Sequence, residues 1–392
     1  MAIGVQVKSS VSSASVLISW VCCAIALLLP FMSVRETRIS AEMSVGLPAL
    51  GFSAFILAIF PLLIVFWSVR KRRWIWHASI ISGLIAPLLL LAVHGPQLVS
   101  VAGPFARYSP SGGFYLWILG VSSVLFVKPK RTRYDYVSIA LAVIVVIFFS
   151  IQGNFSQLGI VQEAGNFGTR LTREVGNHLR ITLISIGIST LIGLPVALLT
   201  YQVPSVRNFV FPLLNILQTI PAIALFGLLI APLAALSRAF PQLRAIGIQG
   251  IGNTPAIIAL SIYGIYPILR YSYTAFSEID PQVIQAARGI GMNRRQLWIL
   301  ARIPLAAPTV LHGIRVALVQ TIGNATLAKL IGGGGLGVLV FEGLGQASSD
   351  MVLLGMILII LLTVLADAVA LMSIRMLTPR AFLITKEENE EQ

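Results

Sequence analysis

The sequence predicts an all-α, polytopic integral membrane protein with about ten transmembrane helices. Three observations carry this. Of 392 residues, 57% are hydrophobic and 11% charged, against roughly 25% charged in soluble domains. Mean hydropathy is +0.89. Apolar stretches long enough to cross a bilayer alternate with short basic loops. The net charge of +14 does not point to nucleic acid, because the basic residues sit in separate clusters rather than on one continuous face.

The expected spans are 14–34, 47–69, 75–95, 112–127 and 136–152, then 181–202, 209–235, 253–275, 304–330 and 351–376. The fourth is short and carries Gly112, Gly113 and Gly120. The first lacks a small-residue cleavage site and reads as a retained helix rather than a signal peptide. Cys22 and Cys23, the only cysteines, are adjacent and give no disulfide framework. Basic clusters at Arg70–Arg73, at Lys128, Lys130, Arg131 and Arg133, and at Arg288, Arg294, Arg295 and Arg302 fall on one side of this arrangement. That side is expected to be the cytoplasm, with both termini. The expected domains are an accessory membrane domain at 1–152, an extracytoplasmic linker at 153–180, a core at 181–380 and an acidic tail at 381–392.

The segment PQVIQAARGIGMNRRQLWILARIP, residues 281–304, is unlike the other loops. Asp280 can cap a helix that begins at Pro281. Ala286, Ala287, Gly289 and Gly291 offer little bulk, and Arg294 and Arg295 follow. So few residues cannot form a domain, but they can form a helix against which another protein packs closely. Gln285-Ala286-Ala287, then Gly291, then Ile303-Pro304 resembles the signature loop of permease subunits in bacterial ABC importers. In that family the pattern is Glu-Ala-Ala, three residues, Gly, nine residues, then Ile-x-Leu-Pro. The spacing matches, while Gln285, Ala301 and Ile303 stand where Glu, Ile and Leu are usual.

Residues 215–221, 312–315 and 321–337 resemble the osmoprotectant branch of that family, which handles glycine betaine, choline and proline-type solutes. The N-terminal extension is similar to the long permease of Yeh-type low-affinity betaine systems. The resemblance implies a type I permease core in the C-terminal five helices, and transport rather than catalysis. It implies a cytoplasmic ATPase dimer carrying ATP and Mg, a second permease (the same chain or a shorter paralogue) and an extracytoplasmic solute-binding protein. Gln285, Ala286, Ala287, Gly289, Gly291, Arg294, Arg295 and Pro304 would couple to the ATPase. A methionine or other amino-acid permease stays open, as does an ion-coupled secondary transporter.

Other residues are weighed on their own chemistry. The run Gly332–Gly337 lacks the Gly-Lys-Ser/Thr that closes a Walker loop. Four consecutive glycines instead break the helix, so this backbone must be buried in protein or line water, and Gly333 and Gly334 are candidates for a gate. Pro221 is expected to kink span seven. Tyr263 and Tyr266 could face a quaternary ammonium solute. Arg315 and Asp367 lie at similar depth, roughly 16 Å and 14 Å from one face, and are expected to pair, since a lone charge there costs about 2.5–3.5 kcal/mol. The four histidines, His77, His94, His178 and His312, have no metal-ligand spacing, and no catalytic constellation is visible.

Overall fold

Residues 16–38, 40–70, 73–127, 133–245 and 247–377 are described by a computed structural model. The chain divides into two units, Met1–Asn166 and Phe167–Gln392. Lys71, Arg72, Lys128, Lys130, Arg131 and the acidic tail at 381–392 lie outside the described residues.

The first unit comprises α1 (Val16–Ala26), strands β1 (Met32–Arg35) and β2 (Met43–Val45), a 3-10 stretch (Leu47–Ala58), α2 (Ile59–Arg70), α3 (Arg73–Ala102), β3 (Arg107–Pro110), α4 (Gly112–Val127), α5 (Arg133–Ile151) and α6 (Gly159–Phe167). The first expected span ends early. Pro30 cannot continue a helix, and the chain turns instead into β1, the centre of an antiparallel sheet of order β2-β1-β3. Met32 pairs with Val45 and with Pro110, and Ser33 pairs with Ser44 and with Ser109. The second expected span is also broken, at Gly51, whose φ of 65° and ψ of −153° leave the helical region. Phe31, Met32, Leu57, Phe60, Ile64, Tyr108 and Trp117 are buried in one core. Trp117 Nε1 donates to the Gly83 carbonyl at 3.0 Å, which satisfies the one polar atom of a fully buried indole.

The second unit begins inside the expected linker. Residues 153–180 are largely helical, in α6 and in α7 (Thr169–Gln202), because only Gly168 between them, at φ +48°, interrupts the helical backbone. Then follow α8 (Pro204–Thr219), α9 (Ala222–Ala239), α10 (Gln242–Ala245), α11 (Asn253–Ser277), α12 (Pro281–Gly289) and α13 (Arg294–Gln296). A π-helical turn (Leu297–Arg302) leads into α14 (Ile303–Ala325), a 3-10 turn (Thr326–Ile331), α15 (Gly337–Gly345) and α16 (Ser349–Leu377).

Helix α11 packs against both α7 and α14, and small residues let the backbones approach. A Cβ on Gly193 would meet Ile268 at 3.2 Å, and one on Gly313 would meet Tyr271 at 2.6 Å. Ser189 Oγ donates across the α7–α11 seam to the Ser261 carbonyl at 2.9 Å. Five helices among the described residues are long and apolar enough to cross a membrane: 75–102, 169–202, 222–239, 294–331 and 349–377. The span expected at 209–235 is not continuous. Pro221 separates α8 from α9 outright rather than kinking one helix, since proline lacks the N–H that would continue the ladder and Ile220 is extended (φ −70°, ψ 126°).

Candidate functional site

The 280–304 segment is assembled by local chemistry. The Asp280 side chain accepts from the Gln282 N–H at 2.8 Å, and Pro281 occupies the first turn of α12. The helix stops at Gly291, whose φ of +86° is left-handed and disfavours any Cβ. The Gly291 and Met292 N–H groups donate back to the Arg288 and Ala287 carbonyls. Asn293 and Gln296 then form a reciprocal capping box that starts α13.

The residues expected to dock divide between two faces. Ala287 is turned inward, 7% exposed, against Leu297 and Ala301. Its small size therefore serves the packing of α12 on its own chain, which corrects its expected place on the docking face. Gln285, Ala286, Gly289, Gly291, Arg294 and Arg295 are exposed. Val283 at 43% and Ile290 at 78% exposure join Ala286 as an apolar stripe at helical spacing.

Pro304 does not end a loop, as expected, but sits in a helix already running from Arg294 to Ile331, 38 residues without a break. A proline would deprive the Leu300 carbonyl of its partner and clash with it. The π turn just before it shifts the ladder by one residue, so that the Ile303 N–H donates to the Trp298 carbonyl. Below it, Tyr201, Phe276 and Trp298 pack ring against ring, and the Arg302 guanidinium lies 4.7 Å from the Trp298 ring centre.

The glycine run lies beyond the other end of this helix. Gly332 (φ +79°) closes the 3-10 turn. The next N–H groups are each taken by a side chain or carbonyl. Gly333 donates to the Ala328 carbonyl, Gly334 to Asn253 Oδ1 at 2.9 Å and Gly335 to Glu174 Oε2 at 2.8 Å. Leu336 donates to His178 Nδ1 at 3.2 Å. His178 Nε2 lies 3.1 Å from the Ile322 carbonyl, so Nε2 carries the proton and the ring is neutral. Gly252 N–H donates to the Ile331 carbonyl at 2.8 Å, which ties α11 to the same turn. A Cβ on Gly333, Gly334 or Gly335 would meet atoms of the neighbouring turn or of α7 within 3.1 Å.

The sequence reading missed Glu174, Asn177 and Asn253. Their signal is the spacing of Glu174, Asn177 and His178 along one face of α7, polar groups that need donors opposite a run whose N–H groups need acceptors. It also missed Glu342 on α15, which accepts from Arg170 at 2.7 Å and Lys329 at 3.1 Å. Burial pushes the Glu342 carboxyl up, but the hydrogen bonds and charges of Arg170 and Lys329 outweigh this and hold it below its ordinary 4.5. This link is therefore intact at neutral pH and is lost as pH falls through that lowered value.

Elsewhere, Arg315 Nε and Nη2 donate to the two Asp367 oxygens at 2.5 and 2.8 Å, a bidentate pair joining α14 to α16. Tyr263 is 4% exposed, and its hydroxyl donates to the Ile220 carbonyl at the α8–α9 break. Gln218 Nε2 completes the joint by donating to the Tyr263 carbonyl at 3.0 Å. Tyr266 packs with Ala197, Leu214 and Leu269.

Comparison with known proteins agrees with this architecture. Residues 189–382 match the family described as binding-protein-dependent transport system inner membrane component. Residues 12–161 match the N-terminal domain of the ABC transporter permease YehY. The choline transport system permease protein OpuBB of Bacillus subtilis is 32% identical over 228 residues, 58% of this chain and 98% of its own. The osmoprotectant import permease protein OsmW of Salmonella typhimurium is 36% identical over 192 residues, 48% of this chain and 83% of its own. The chain therefore belongs to the binding-protein-dependent inner membrane components, the permease subunits of ABC importers, in which ATP is hydrolysed on a separate subunit.

Proposed function

We propose that the chain imports a small osmoprotectant, of the glycine betaine or choline kind, and is driven through α12 by a cytoplasmic ATPase dimer. The observation that carries this reading is the uninterrupted helix 294–331. It is about 57 Å long at 1.5 Å per residue. One end carries α12 through the Ala287–Leu297–Ala301 seat. The other passes through the turn that closes on Gly332 and Gly333. A displacement imposed on α12 is delivered to the glycine run, whose held N–H groups give that segment one defined position to leave and regain.

In this reading the stripe of Val283, Ala286 and Ile290, with Gly289 and Gly291, seats in a groove of the ATPase. Arg294 and Arg295 meet acidic groups at its rim. The basic clusters face the cytoplasm with both termini, which places the glycine run and the Glu342 cluster toward the outside. ATP and Mg close the ATPase pair, a second permease completes the pathway, and a solute-binding protein delivers cargo from outside. The solute class rests on what the relatives' names say they carry. A quaternary ammonium also suits an aromatic-lined path, to which Tyr266 is the nearer candidate, because the Tyr263 hydroxyl is engaged.

The test is reconstitution in vesicles with the cognate ATPase and binding protein. ATP-dependent uptake of labelled glycine betaine or choline is expected, with none when ATP is omitted. Uptake driven by an ion gradient without ATP would overturn the mechanism, and ATP-driven uptake of methionine but neither osmolyte would overturn the solute class.

A further inference from the structure

The seam between α8 and α11 carries charge that transport does not use. Helix α7 ends at Gln202, and after a corner at Val203 the chain enters α8 at Pro204. Arg207 therefore stands in the first turn of α8, just past the end of a helix long and apolar enough to cross a membrane. Its Nη1 donates to the Tyr273 hydroxyl of α11 at 2.9 Å. Arg270 stands one turn before Tyr273 on the same face of α11, and its guanidinium lies 5.4 Å from the ring centre of Phe211 on α8. The Phe211 and Tyr273 rings meet edge to face at 5.2 Å, so the four side chains form one cluster across the seam.

Both arginines are exposed. Among the described residues neither meets a carboxylate; a phenol hydroxyl and an aromatic ring hold them instead. These partners fix the two guanidiniums without neutralising them, and they leave most of the guanidinium N–H groups without a protein acceptor. Arg270 lies two turns before the end of α11 at Ser277, about 10 Å along the axis. A charge at that depth is costly in hydrocarbon and is relieved at the headgroups. The far side of α8 exposes Phe209, Leu213 and Ile216, an apolar face that suits acyl chains and not a soluble acidic partner.

We propose that this cluster binds the phosphate of an anionic phospholipid. Guanidiniums present paired N–H donors matched to phosphate oxygens, and basic pockets between membrane helices suit anionic headgroups. Phe211 and Tyr273 stand where aromatic side chains favour the membrane surface. That the site faces the cytoplasmic leaflet rests on the orientation given under Proposed function; the binding claim needs only the corner between α7 and α8 to lie at a membrane surface. A phosphate held by both arginines ties α8 to the end of α11 from which α12 follows.

Native mass spectrometry of the purified full-length chain in detergent, titrated with phosphatidylglycerol and with phosphatidylcholine, tests the site. Phosphatidylglycerol is expected to bind about 25-fold more tightly than phosphatidylcholine. Arg207→Gln and Arg270→Gln are each expected to lose about fivefold of that preference, and the double variant all of it. Arg207→Lys with Arg270→Lys keeps the charge but loses the planar fork, and is expected to retain an intermediate preference. Arg244→Gln, at an exposed arginine on α10, is expected to keep the full preference. Thermal midpoints in phosphatidylcholine are expected to match wild type in every variant. Equal binding of the two lipids to the wild-type chain, or displacement of phosphatidylglycerol by equimolar inorganic phosphate, would overturn the proposal. So would a preference unchanged in the double glutamine variant; loss of ATPase co-purification in that same variant would then give the two arginines to the ATPase.

Discussion

At the scale of single residues, the glycines differ more than their number suggests. A Cβ at Gly337 would fall inside the van der Waals shell of the Thr326 carbonyl oxygen, a backbone atom that cannot rotate away. A Cβ at Gly323 would meet nothing within 4 Å. Gly337→Ala is therefore expected to lower stability by about 3 kcal/mol, at the top of the range for overpacking. Gly323→Ala in the last turn of α14 is expected to be neutral or to gain up to about 1 kcal/mol from helix propensity. Thermal denaturation of both variants in detergent checks the contrast.

Arg315 and Asp367 make the second residue-scale case. Each alone is a charge on a helix meant for lipid, and together they are a bidentate pair. Asp367→Asn and Arg315→Met are each expected to destabilise more than the double replacement. A double-mutant cycle should give a coupling of about 2 kcal/mol; a coupling near zero would mean that each charge finds other partners.

At the scale of elements, α12 has an exposed stripe, proposed to dock, and an inward residue, Ala287, that packs on its own chain, so the two roles can be tested apart. Ile290→Asp places a charge on the exposed stripe and is expected to abolish co-purification of the ATPase while leaving the thermal midpoint unchanged. Ala287→Leu overfills the seat on Leu297 and Ala301 and is expected to lower the midpoint, with ATPase binding lost only as α12 detaches. Loss of ATPase binding in neither variant would place the coupling surface elsewhere.

This element also shows what the sequence could and could not convey. Asp280 and Pro281 announce the start of α12 by their chemistry and stand where the letters put them, whereas Gly291 was read for its small size alone and not as the left-handed residue that stops the helix. Which of two adjacent alanines faces inward depends on the helix it packs against, and no local signal holds that. The break at Pro221 was visible as proline but not as a full separation, which depends on Tyr263, from another helix, satisfying the freed Ile220 carbonyl. The three-stranded sheet was hidden for a similar reason. Its strands are three or four residues long, and although β1 and β2 form a local hairpin, β1 and β3 pair across more than sixty residues of chain. The site around the glycine run was half legible: the glycines were conspicuous, while Glu174 and Asn253 became meaningful only as their acceptors.

At the scale of the whole molecule, the two units correspond to two separately matched families, 12–161 and 189–382. The choline permease of Bacillus subtilis aligns over 98% of its own length with 58% of this chain, so the second unit has the extent of a whole permease. A chain beginning at Phe167, preceded by an initiating methionine, is expected to insert, to bind the ATPase and to support ATP-dependent uptake in the vesicle assay. Failure to insert would show that the first unit is needed for folding. Insertion without uptake would show that it takes part in transport.

The π turn at 297–302 has a geometric consequence of its own. It is one residue more than an α-helix would use between the same two ends. Deleting that extra residue would restore ordinary winding with the two flanking segments left in place, whereas deleting one from the α-helical stretch that follows would rotate everything upstream by about 100° around the axis. The exposed stripe of α12 would then point away from wherever it now points, with every side chain still present. The register of this helix acts like the keyway on a drive shaft: it transmits no force itself, yet it fixes the angle at which the motor must engage.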